Sequence, residues 1–71
     1  MDSLSLRGIA SAGGSVIIDA SDFDSLSLRG IATAGKESGA NLIIKNANKL
    51  DPLNCKGIAS CNPGHVYFDF T

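Results

Sequence analysis

Apolar residues recur along this chain in two alternating rhythms. Leu6, Ile9 and Ala10 fall on one side of a helix, whereas Val16-Ile17-Ile18-Asp19-Ala20 is a short, largely β-branched run of the kind that forms a buried strand. The same succession returns as Leu28, Ile31, Ala32 before Leu42-Ile43-Ile44-Lys45-Asn46. It returns again as Cys55, Ile58, Ala59 before Val66-Tyr67-Phe68-Asp69-Phe70. The pattern predicts three short helices, each followed by a strand, over 16–20, 42–46 and 66–70.

The repetition extends to the letters. DSLSLRGIA stands at residues 2–10 and again at 24–32, with a looser copy, DPLNCKGIA, at 51–59. The leading aspartates are 22 and 27 residues apart, a period that marks tandem supersecondary units. One domain of residues 1–71 is therefore expected, built from units 2–23, 24–50 and 51–71. The second unit is longer because KESGAN stands between its helix and its strand.

Within each phrase, Ser5, Ser27 and Asn54 can accept a hydrogen bond from a free helix amide, so they are expected as N-caps. Leu4, Leu26 and Leu53 would then staple to Ile9, Ile31 and Ile58. Gly13, Gly35 and Asn62 are expected to close the helices, with Pro63 forbidding continuation of the last. Gly8, Gly30 and Gly57 lie inside the helices, where each costs roughly 1 kcal/mol against alanine. A cost repeated in three units points to close approach between neighbouring elements.

Helix–strand units in succession give parallel strands joined by right-handed crossovers. The expected fold is α/β: a three-stranded parallel sheet with helices on one face, a small solenoid. The stretch from Leu42 to Leu50, LIIKNANKL, with one strand and one helix per unit, resembles the leucine-rich-repeat solenoids. Ala47, and Ser21 in the first unit, stand where that family carries its asparagine. The resemblance implies a binding module that presents its strand face to protein partners.

Charge and chemistry narrow the picture further. The formal net charge is −1, which provides no electrostatic grip on nucleic acid or on a membrane surface. No apolar run approaches a membrane span, and MDSLSLR lacks the basic start and apolar stretch of a leader, so a cytoplasmic chain is expected. Cys55 and Cys61 replace Leu6/Leu28 and Ala12/Ala34, and their spacing suits neither zinc nor a redox pair. They read as small buried hydrophobes. His65 is the single histidine. AGGS and AGKESG follow helices where a phosphate loop would precede one. No catalytic, metal-ligating or cofactor-binding residue is expected, and the chain does not read as an enzyme.

Strand alternation assigns the candidate site. Val16, Ile18, Ala20, Leu42, Ile44, Asn46, Val66, Phe68 and Phe70 should face the helices. Ile17, Ile43 and Tyr67 should form an apolar ladder on the opposite face, beside a charged ladder of Asp19, Lys45 and Asp69 with attraction at each step. An apolar row rimmed by charge on a bare sheet face reads as a contact surface. The expected function is non-enzymatic: binding to a protein partner or to a second copy of the chain, through this face or an open strand edge. The alternative is a structural subunit that stacks head to tail into a fibre. Arg7, Arg29 and Lys56 recur at one position and are expected to form a solvated basic row.

Overall fold

A computed structural model describes residues 1–71. Helices α1 (Ser3–Ser11), α2 (Ser25–Gly35) and α3 (Pro52–Cys61) alternate with strands β1 (Val16–Asp19), β2 (Leu42–Lys45) and β3 (Val66–Phe68). The strands lie in the order β1-β2-β3, all parallel, which is the α/β arrangement the repeats predict. Short 3-10 turns follow the first two strands, at Ala20–Asp22 and Ala47–Lys49.

Each helix starts on an aspartate. Asp2, Asp24 and Asp51 adopt extended backbone, and each carboxylate accepts the amide of the residue three positions on, Ser5, Ser27 or Asn54, at 2.8 Å. The caps therefore sit three residues earlier than expected. Aspartate caps as well as serine does, and the earlier start adds most of a helical turn, with Pro52 at a position where no amide is missed.

The shift overturns the expected staple. Leu4, Leu26 and Leu53 now fall on the outer face and are 72%, 77% and 76% exposed. Phe23, immediately before a cap, and Leu28, four residues after it, pack into the same core instead.

Helix ends also vary. Gly13 closes α1 in the left-handed region at φ 99°. Gly35 stays helical, and a Cβ there would lie 3.2 Å from the Ala40 Cβ, so its role is close contact. Gly39 and Gly64 take the left-handed turns after α2 and α3, at φ 79° and 82°. Asn62, expected in that role, has φ −151° and is buried, its side-chain amide donating to the Ala40 carbonyl at 3.1 Å.

The core lies between the helices and the sheet. Leu28, Ile31, Ile44 and Ile58 are fully buried, each burial contributing about 1.5–3 kcal/mol. Three of them come from the second unit and Ile58 from the third, and Leu6, Ala10, Ile18 and Ala20 of the first unit join the same core, so no unit encloses a core alone. No helix is long and apolar enough to cross a membrane.

Candidate functional site

The sheet pairs Ile17 with Ile43 and Ile43 with Tyr67, so the expected apolar ladder is assembled in register. Ile17 is 65% and Tyr67 53% exposed, with Ile43 half-buried between them. The paired residues alternate as expected, with Ile18, Leu42 and Ile44 buried on the helix side, but Asn46, expected among them, lies past the end of β2 in the left-handed region at φ 56° and turns its side-chain amide to Asp19.

The charged ladder is also in register but behaves differently from the expectation. Asp19 pairs with Lys45. Asp69 lies just past β3, where its amide donates to the Ile44 carbonyl at 2.8 Å and its own carbonyl accepts the Ala47 amide at 2.9 Å. Both carboxylates are committed locally. Asp19 accepts the hydroxyl and amide of Ser21, and also the Asn46 side-chain amide at 2.6 Å; Asp69 accepts the hydroxyl and amide of Thr71.

These bonds hold both carboxyls below the usual carboxylate range, the hydroxyl of Ser21 or Thr71 being the foremost cause. Lys45 adds an attraction on Asp69, while the cation that acts on Asp19 is Lys49. The expected attraction at each step thus yields to turn bonds, since a carboxylate is more easily bonded by groups two residues away than by a flexible lysine. The signal was present as Asp19-Ala20-Ser21 and Asp69-Phe70-Thr71.

Phe70, expected in the core, is 59% exposed. Strand pairing ends before it, and its ring stacks on Phe68 with centroids 6.2 Å apart. Beside β1 an open hollow of about 820 Å³ is lined by Met1, Ile17, Asp19, Asp22, Phe23 and Lys45, among others. No three histidine, cysteine, aspartate or glutamate side chains gather as a possible metal-ligand set.

The helical layer holds a feature that the sequence pattern did not reveal. A Cβ at Gly30 would lie 3.2 Å from the Arg7 guanidinium, and one at Gly57 would lie within 2.7 Å of the Arg29 guanidinium carbon. Each arginine rests over the helix glycine of the next unit. Arg29 is consequently half-buried, with its Nε shielded and unpartnered, so the basic row is not simply a solvated face. Gly8, in the first unit, has nothing within 4 Å of its missing side chain.

The polar positions before each strand also join neighbours. Asn41 donates its amide to the Ser15 hydroxyl at 3.0 Å, and His65 Nδ1 lies 2.8 Å from the Asn41 side-chain oxygen. His65 therefore links two strands. Cys55 and Cys61 are free and half-buried, less enclosed than expected. Desolvation, followed by the nearby Asp51 carboxylate, pushes the Cys55 thiol up, which disfavours the reactive thiolate.

Comparison of the chain with protein-family models, with curated proteins and with solved structures finds no match.

Proposed function

We propose that this chain is a non-enzymatic protein-interaction module, working through its bare sheet face or an open strand edge, and that it associates with a second copy of itself. One observation carries the reading: Ile17, Ile43 and Tyr67 stand side by side on a sheet face that no other element covers, two of them more than half exposed. Parallel sheets ordinarily have both faces covered, and a contiguous exposed apolar row is a typical contact surface. The proposal includes a leucine-rich-repeat-like mode of binding by the strand side, in the cytoplasm, with no substrate or cofactor.

The fibre-forming alternative draws on a different observation. β1 and β3 are both sheet edges, and unpaired edges accept further strands.

Light scattering on a sizing column, over a wide range of protein concentration, tests the reading. Association is expected to appear as concentration rises. A monomer at every concentration overturns self-association. Ile43→Glu places a charge at the centre of the bare face and is expected to dissolve any assembly that uses it.

A further inference from the structure

We infer that the second copy docks end to end. The open edge of β3 and the flank of α3 on one copy receive the open edge of β1 and the flank of α1 on the next, repeating the contact that already joins unit to unit. The inference rests on the reading of the chain as a self-associating module and names the surfaces used.

Burial along the repeats shows which sides are unfinished. Ile31 and Ile58 each have a unit before them and are 1% and 0% exposed, whereas Ile9, at the same position in the first unit, is 38% exposed. At the other end the difference reverses. Ala10 and Ala32 have a unit after them and are buried, whereas Ala59 is only half-buried. The two ends thus lack opposite halves of one contact.

The backbone supports the same polarity. The Val16 amide donates to the Asn41 carbonyl at 3.1 Å, and the Leu42 amide donates to the His65 carbonyl at 2.8 Å. Polar groups alternate sides along a strand, so those of Val66 and Phe68 point outward from β3, and those of Ile17 and Asp19 outward from β1. Continuing the register sets Val66 beside Val16 of the next copy, with its amide toward the carbonyl of Ser15 of that copy.

The helices add a matched pair. Arg7 rests over Gly30 and Arg29 over Gly57. The cation left over is Lys56, which is exposed, and the unoccupied glycine is Gly8. End-to-end docking brings Lys56 over Gly8 of the next copy. Opposing this, it sets Asp69 beside Asp19 of the next copy, and like charges on neighbouring strands repel. The contact is heterologous, so it propagates as an open row in which every copy uses both ends.

Sedimentation velocity over a wide concentration range tests this with the intact chain and three variants. Gly8→Gln fills the empty position with a good helix former, at an exposed site where the new Cβ has nothing within 4 Å in the monomer. The expected result is an open-ended series of species that Gly8→Gln abolishes and Ile43→Glu leaves in place. Asp69→Asn, which keeps an acceptor for Thr71 but removes the repulsion, is expected to move the onset to severalfold lower concentration. An unchanged onset overturns the proposed register. A closed dimer lost in Ile43→Glu and unaffected by Gly8→Gln overturns end-to-end docking and leaves the sheet-face reading standing. Growth that neither Gly8→Gln nor Ile43→Glu alters also overturns the docking. A monomer throughout overturns both.

Discussion

Alanine at Gly8, Gly30 and Gly57 makes one chemical change in three different surroundings. In an exposed helix interior, glycine to alanine gains about 1 kcal/mol, from lower backbone entropy in the unfolded chain and better helix propensity. At Gly8 nothing lies within 4 Å of the new methyl group, so the full gain is expected. For a domain of this size that is a rise of about 4–8 °C in Tm, measured at protein concentrations dilute enough to keep the chain monomeric. At Gly30 the methyl lies 3.2 Å from the Arg7 guanidinium, which is exposed and can give way, so most of the gain survives. At Gly57 it collides with a terminal nitrogen of Arg29, which must move. Moving it strips contact from the arginine stem, a loss of about 1 kcal/mol that offsets the helix gain.

Thermal unfolding should therefore rank the variants Gly8→Ala, Gly30→Ala, Gly57→Ala in falling order of stability, the last close to the parent. A cycle with Arg29→Ala isolates the cause: without the arginine, Gly57→Ala should recover its gain, a coupling of about 1 kcal/mol. Equal stabilisation at Gly8 and Gly57, or additivity in the cycle, would refute the idea that the helix glycines make room for the preceding unit's arginine.

Other substitutions probe the remaining contacts. Leu28→Ala, at a fully buried position, should cost about 2–5 kcal/mol, whereas Leu26→Ala on the outer face should stay within about 0.5 kcal/mol; urea denaturation separates them. Asn62→Ala removes the buried donor to the Ala40 carbonyl and should cost about 1–3 kcal/mol by the same assay. The carboxyls of Asp2 and Asp24 are held below their ordinary value of 3.8, foremost by the Ser5 and Ser27 amides, so the unfolded chain binds those protons more tightly. Their contribution is complete above about pH 4 and is lost as pH falls through the lower folded values; Asp24→Asn should flatten that acid limb of a denaturation series.

Much of the fold was legible because the chain states it three times. Helix-then-strand order, parallel pairing and the Ile17–Ile43–Tyr67 row follow from periodicity and from the rule that consecutive units lie side by side. Cap placement was ambiguous in the letters: in Asp24-Ser25-Leu26-Ser27, aspartate and serine are both good caps. The choice decides whether Leu26 or Leu28 turns inward, and packing against the sheet settles it. Phe70 was misplaced for a related reason, since alternation places a side chain only while the strand stays paired. The charged ladder was correctly aligned but misjudged in its bonding.

The unit, the order of its elements and the side each paired strand residue faces were readable from the chain alone, because they depend on local spacing and hydrogen-bonding capacity within a few residues. The offset of one helix against the next was set by packing between units. That offset places Arg7 over Gly30 and Arg29 over Gly57 and leaves Gly8 open, and it arises where side chains from separate units compete for one space. Equivalent residues read alike along the chain, yet Ile9 and Ile31 differ in burial because one unit has a neighbour before it and the other has none.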